Sequence, residues 1–160
     1  MNIFILSRDP REAAVQQCDQ HVVKMTLESA QQLCGAFEPG DAPYKRTHWN
    51  HPCTVWTRQS EANFDWHVEH AIELAREYSR RYAKVHKSYG VIKWCRKNKG
   101  LLSFPKRGLT PFALAMPDEY KTDCPVESYK KFYLADKGFA RWRQTRKPPA
   151  WWRDRNVKRT

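Results

Sequence analysis

Residues 9–35 read DPREAAVQQCDQHVVKMTLESAQQLCG, and this stretch decides the fold. Asp9 can cap a helix, and Pro10 suits the first helical position because its ring fixes φ. Apolar residues then recur at helical spacing as far as Leu33, and Gly35 provides a stop signal. The pattern predicts one long helix from Pro10 to about Leu33.

Outside this stretch, helix signals alternate with loops. Four further helices are predicted: a short one opened by Pro52, a long one from the cap Ser60 to about His86, a short one around Ser88 and a last one from Asp123 and Pro125 to about Asp136. Prolines and glycines predict irregular chain over 36–50 and 98–120, and the apolar residues 2–7 predict a short strand or a buried extended segment. We therefore expect a mostly α, single compact domain over residues 1–160.

Composition limits the class of protein. The chain has 160 residues, of which 41% are hydrophobic and 29% charged, which favours one globular domain. It contains no apolar run of the ~20 residues that a membrane span needs, and its start lacks the pattern of a secretory signal. The five cysteines are odd in number, widely spaced and without a CxxC motif. We expect no membrane partner, and reduced thiols in a cytoplasm.

The charge of the chain points to a polyanionic partner. Lys and Arg number 29 against 17 acidic residues, which gives a net charge of +12. Phosphate contacts by such residues supply most of the non-specific affinity for nucleic acid. The segment 138–160 is rich in basic residues and tryptophan, and its tryptophans either stack on a flipped base or pack on the core. The candidate DNA-binding residues of this segment are Arg141, Trp142, Arg143, Arg146, Lys147, Trp151 and Trp152.

The first helix carries residues with catalytic chemistry. His21, Lys24 and Glu28 are spaced i, i+3 and i+7 and therefore share one helix face. Together they offer a proton donor or acceptor, an amine and a carboxylate. The plainer interpretation is a surface ion pair between Lys24 and Glu28, because such i, i+4 pairs are common.

A resemblance adds to this interpretation. The triplet Asp19-Gln20-His21, followed by Glu28 seven residues after the histidine, resembles the first helix of the phage pyrimidine-dimer DNA glycosylases of the endonuclease V type. The Asn50-His51-Pro52 loop and the His86-Lys87-Ser88 stretch are similarly placed in that family. The resemblance covers roughly the first half of the chain at low identity. The chain also resembles a set of small phage proteins of unassigned activity.

The family resemblance implies roles for a few residues. Glu28 would be the catalytic carboxylate that stabilises positive charge at the sugar C1′ and assists proton transfer. His21 would contact the DNA backbone or position Glu28. The family's nucleophile is an α-amine exposed by removal of Met before a small residue, whereas here Asn2 follows Met1. Either the Met1 amine or Lys24 is then the nucleophile, or no imine forms and water or another acceptor attacks.

Other polar residues are candidates for DNA contact. The loop histidines either hold phosphate or are incidental to a helix capped by Asn50. His67 and His70 lie at i, i+3, but without a partnering motif we expect no metal, and we expect no cofactor. The nucleic-acid-binding set outside the C-terminal segment is Asp19, Gln20, Arg46, His48, Asn50, His51 and Lys87.

The leading hypothesis is a monomeric DNA-acting enzyme with Glu28 at its centre. It would be a DNA glycosylase, with or without lyase activity, or a base-modifying enzyme that acts on a flipped pyrimidine nucleotide. The resemblance places it in a bacterial cytoplasm as a phage protein. One alternative is a non-catalytic nucleic-acid binder that shields phage DNA or blocks a host defence. Another is an enzyme that acts on a small nucleotide.

Overall fold

The computed structural model describes residues 1–143 and 145–159, and this part of the chain is mostly helical, as predicted. Gln144 and Thr160, both within the predicted basic segment, lie outside the described residues. The helices are α1 (Pro10–Val15), α2 (Asp19–Cys34), α3 (Pro52–Gln59), α4 (Glu61–Tyr82), α5 (Tyr89–Lys97), α6 (Pro125–Asp136) and α7 (Ala150–Arg153). Short 3-10 turns follow at Lys99–Leu101, Asp118–Tyr120 and Asp154–Arg159.

The long helix α4 is the centre of the fold. It packs against α1, α2, α3 and α5. Ser60 caps it as predicted, with its hydroxyl accepting the amide proton of Asn63. The helix ends four residues before the predicted His86, because Ala83 adopts a left-handed conformation with φ of 54°. The helices opened by Pro52 and Pro125 and the helix after Ser88 are also confirmed.

The prediction of one helix from Pro10 to Leu33 is wrong, because the chain breaks between α1 and α2. Cys18 is extended, with φ of −69° and ψ of 164°, and its amide donates to the Tyr133 hydroxyl instead of continuing the helix. The buried Arg81 guanidinium binds the carbonyl oxygens of Val15 and Gln17. Because these partners lie far away in sequence, local helix propensity could not reveal the break.

Residues 2–6 form a buried segment outside any sheet in the described part of the chain, and it is not extended throughout, because Phe4 has φ of 58° and the Leu6 amide donates to the Phe4 carbonyl. The Asn2 side chain fastens its start, because Oδ1 accepts the amide protons of Ile3 and Phe4 while Nδ2 donates to the Ala115 carbonyl. The Phe4 ring stacks on the His21 ring, with 4.3 Å between the ring centroids. The segment therefore packs against α2.

Residues 98–120 are irregular apart from the two 3-10 turns, as predicted. Backbone hydrogen bonds from Glu61 and Ala62 to the carbonyls of Lys106 and Arg107 fasten this segment to the start of α4. None of the helices in the described part of the chain is long and apolar enough to cross a membrane.

Candidate active site around Glu28

The Met1 amino group and Glu28 lie together in a nearly buried site. The Met1 nitrogen is 3.7 Å from Oε2 of Glu28, and Glu28 is only 9% exposed. Glu28 lies on the face of α2 that turns toward the N-terminal segment, which is why it is buried while Lys24 and Leu27 are exposed. A carboxylate and an amine held in this way can supply a proton acceptor and a nucleophile.

The N-terminal segment brings Met1 to Glu28. Phe4 stacks on His21, and Met1 lies at Glu28, so the segment runs antiparallel to α2. The three residue steps from Met1 to Phe4 span at most about 10 Å. The seven helical steps from His21 to Glu28 also rise about 10 Å. Because these two lengths match, the stacking of Phe4 on His21 places Met1 beside Glu28.

His51 completes the site from a third part of the chain. It caps α3, because its Nδ1 accepts the amide proton of Cys53 at 3.1 Å. The alternative in which Asn50 caps this helix is therefore wrong, because the side chain of the next residue supplies the acceptor. Burial lowers the pKa of His51, and the positive charges of the Met1 amine and His48 lower it further, while the Met1 carbonyl opposes the shift. The imidazole therefore faces the N-terminal residue as a neutral group.

His21 is buried beneath the site and is neutral at physiological pH. Its Nδ1 lies 2.6 Å from the Tyr133 hydroxyl, whose oxygen also accepts the amide proton of Cys18. Burial lowers the pKa of His21 to about 3, with smaller contributions from the charges of Lys137 and Lys24. A neutral imidazole held in this way orients Phe4 and the start of α2 and does not act as a phosphate-binding cation.

A basic groove of about 570 Å³ lies over His21. Lys24 and Lys137 supply its charge, and the half-exposed ring of Phe139 forms one wall. Its other lining residues are Gln20, Val23 and Tyr82, so no acidic side chain among the described residues lines the groove. The groove can accept an anionic chain with an aromatic contact beside it.

The loop that precedes α3 carries a stacked cluster. The guanidinium carbons of Arg46 and Arg58 lie 3.7 and 3.5 Å from the centroid of the Trp49 ring. Two guanidinium groups this close to one centroid must occupy opposite faces of the ring. The adjacent His48 is exposed and has φ of 46°, and Asn50 is exposed. Trp49 therefore stiffens the loop and has no free face for a base.

Several of the other candidate residues hold the chain together. Asp19 accepts hydrogen bonds from the Arg81 guanidinium and the Arg143 amide, and its own amide donates to the Arg141 carbonyl. Arg146 pairs with the buried Glu77. The Asp19 and Arg146 side chains are thus engaged within the protein, whereas Lys87, Arg141, Arg143 and Lys147 are exposed.

The tryptophans of the C-terminal segment pack against the core. Trp152 is 5% exposed and contacts the rings of Trp142, Trp151 and Tyr133. The indole N–H groups of Trp142 and Trp151 donate to the backbone carbonyl and side-chain oxygen of Gln16. Of the two sequence-based interpretations, the geometry favours packing for these rings, while basic residues of the segment remain in solvent.

Sequence reasoning named His51 as a candidate but missed that it caps α3, and it did not single out Tyr133 or Phe4. His51 has a recognisable signal, since a polar residue directly before a helix-opening proline is a suitable cap. The contacts of Tyr133 and Phe4 with His21 depend on tertiary packing and leave no local pattern.

Comparisons with known proteins add no relative. No protein-family model, curated protein or solved structure matches the chain.

Proposed function

We propose that the protein is a DNA glycosylase in which Glu28 is the catalytic carboxylate and the Met1 amine is the nucleophile. The observation that carries the proposal is the 3.7 Å distance between the Met1 nitrogen and Oε2 of Glu28 in a nearly buried site. Two charged groups seldom lie this deep in a protein without a functional or structural reason. Lys24 is the weaker nucleophile candidate, because its side chain lies on the exposed face of α2.

The chemistry follows from the two groups. The unprotonated amine attacks C1′ of a deoxyribose, the C1′–N bond to the base breaks, and its electron pair leaves with the base. The proton lost by the attacking nitrogen passes through Glu28 to the departing base, so charge and protons balance. Sugar-ring opening then gives an imine that water hydrolyses. α-Amino groups as a class lose their proton closer to neutral pH than lysine side chains do, which favours the amine at the N-terminus.

The basic surfaces near the site support DNA as the substrate. Lys24 and Lys137 line the groove beside His21, and Arg143 lies over the Tyr82 ring at the groove edge, 4.2 Å from its centroid. Exposed Lys87 and Arg141 add to the positive charge. Cationic contacts of this kind must offset the few kcal/mol that extrusion of a nucleotide from the duplex costs.

The test uses end-labelled duplexes that are plain, UV-irradiated or substituted with modified pyrimidines. Each is incubated with the wild type, Glu28→Gln and the control Glu38→Gln, which removes an exposed carboxylate outside the site. We expect abasic sites or strand cleavage with the wild type and the control, and a loss of at least 100-fold with Glu28→Gln. Full activity of Glu28→Gln refutes the role of Glu28.

Borohydride trapping identifies the nucleophile. Reduction of the imine leaves a covalent protein–DNA adduct, and peptide mapping locates it. We expect the adduct on Met1, unchanged in Lys24→Met and abolished when the Met1 amine is acetylated. An adduct on Lys24 contradicts the assignment of the nucleophile. Equal binding of intact DNA by the wild type and Glu28→Gln, without any reaction, favours a non-catalytic DNA-binding protein.

A further inference from the structure

The crossing of α2 and α3 contains an unusual concentration of unpaired polar atoms. Oγ of Ser29, both side-chain amide atoms of Gln32 and Oγ1 of Thr54 are buried without a hydrogen-bond partner, and so is Oε2 of Glu28, whose one charged neighbour in the described residues is the Met1 nitrogen at 3.7 Å. They make up five of the seven such atoms found in the described part of the chain. Each unpaired buried group destabilises a protein, so a cluster of them calls for a partner.

The helix geometry places these atoms together. Glu28, Gln32 and Gly35 are spaced i, i+4 and i+7 on one face of α2. Ser29 lies beside Gln32, which follows it by three residues. The first turn of α3 crosses this face. A Cβ atom added at Gly35 would lie 3.5 Å from the Thr54 side chain. The Cys53 thiol lies 3.9 Å from Oδ1 of Asn2, and the preceding Met1 nitrogen lies 3.7 Å from Glu28, so the start of α3 also approaches Glu28. Helix spacing and these contacts place the four polar side chains on the facing surfaces of α2 and α3, and we refer to them together as the buried seam.

The donors and acceptors of the seam match water. The Glu28 carboxylate accepts only, the Gln32 amide offers one acceptor and an NH₂ donor, and the two hydroxyls can do either. A buried water typically makes about three hydrogen bonds, so the five atoms suffice for one or two waters. A larger ligand would need a route to solvent, whereas each of these atoms is shielded from it.

We propose that Ser29, Gln32 and Thr54 hold bound water that hydrates Glu28 from inside the protein, and that Gln32 is a positioning residue for the carboxylate. Glu28 then faces the Met1 amine on one side and fixed water on the other. The water prevents the carboxylate from rotating away from the amine and gives it a hydrogen-bond partner that takes no part in substrate binding. The water site stands on the buried atoms alone, whereas its catalytic value rests on the proposed function.

The experiment compares Thr54→Val and Gln32→Met with the control Thr26→Val. All three substitutions keep the side-chain volume, and Thr26 is equally buried but its hydroxyl already donates to the Val22 carbonyl. If water occupies the seam, Thr54→Val removes one of its polar partners and Gln32→Met removes two, and the remaining atoms are left unpaired. We expect the melting temperature to fall by roughly 3–8 °C more than in the control.

Water–protein nuclear Overhauser spectra give the second readout. We expect a cross-peak between long-lived water and the Gln32 side-chain amide in the wild type, and its loss in Thr54→Val. A dry seam predicts the opposite result, with no cross-peak and higher melting temperatures in both test variants, because unpaired polar groups are removed. Either the missing cross-peak or the raised melting temperature overturns the proposal.

Activity measurements separate this inference from the proposed function. If the protein acts on DNA, Gln32→Met should lower kcat with little change in KM, since Gln32 touches no substrate. Unchanged kcat rejects the positioning role even where the water is found. If the cross-peak is present but the protein shows no activity on DNA, the water site stands and only the glycosylase proposal is refuted.

Discussion

Phe4 provides the sharpest test of how the N-terminal segment is held. The residue is 4% exposed, stacks on His21 and contacts Tyr133 edge-on at 5.5 Å between ring centroids. Its φ is 58°, a left-handed conformation that L-residues seldom adopt. The ring therefore compensates for an unfavourable backbone, and substitutions at this one position separate the two effects.

Phe4→Ala removes the ring and keeps the strained backbone. Truncation of a buried phenylalanine costs about 3–5 kcal/mol of folding free energy. Phe4→Gly also removes the ring but releases the left-handed strain of about 1–2 kcal/mol. Against this, glycine loses about 0.4–1 kcal/mol through its more flexible unfolded chain. We expect Phe4→Gly to be more stable than Phe4→Ala by about 1 kcal/mol, the reverse of the usual order.

Urea unfolding of the wild type and both variants measures these differences. Removal of the ring should also admit water to His21, so the pKa of His21 should rise from about 3 toward its ordinary value, as NMR titration of the imidazole would show. A Phe4→Ala variant more stable than Phe4→Gly refutes the left-handed backbone. A loss below 1 kcal/mol in Phe4→Ala refutes the packing argument.

Three further predictions concern stability. Ala83→Gly should raise the free energy of unfolding by about 0.5–1 kcal/mol, because exposed Ala83 ends α4 with φ of 54°, and a lower melting temperature would contradict this. Glu77→Gln should lower the free energy of unfolding in urea by about 3–5 kcal/mol, because it leaves the buried Arg81 without one of its carboxylate partners. A loss under 1 kcal/mol would refute the importance of this ion pair for stability. Burial lowers the pKa of His21 to about 3 and that of His70 to about 4, so the unfolded state gains protons first as pH falls. Stability should decline from about pH 6.5 down to these values, and urea midpoints that stay constant between pH 6.5 and 4 would contradict it.

The helices could be predicted because their ends carry local signals. Pro52, Ser60 and Pro125 lie at or before the first turn of α3, α4 and α6, where a fixed φ or a capping hydroxyl acts within a few residues. The break at Cys18 had no such signal. Its extended backbone depends on the Tyr133 hydroxyl, which approaches from another helix. Local propensity predicts a continuous helix there, and tertiary hydrogen bonds override it.

The candidate site could be predicted only in part. The shared helix face of His21 and Glu28 follows from their spacing alone. The position of the Met1 amine depends on a segment that runs back along α2, and no periodicity records where such a segment packs. The spacing also grouped Lys24 with Glu28, although Lys24 faces solvent and Glu28 is buried. Helical spacing in a sequence shows which residues share a face. It does not show which of them lie at the buried centre of that face and which lie at its exposed edge.

The basic C-terminal segment is part of the fold, and this changes how its role in DNA binding should be tested. Its backbone bonds to Asp19 at the start of α2, and Trp152 fills the core beside Tyr133. Deletion of the segment would expose that core and leave Glu77 without its Arg146 partner, so lost DNA binding in a truncated protein would report unfolding. Lys147 is exposed, and reversing its charge keeps the hydrogen bonds that the Arg141 guanidinium donates to the Gly138 and Ala140 carbonyls. If the segment contacts phosphate, Lys147→Glu should weaken binding and reduce its dependence on salt at an unchanged melting temperature.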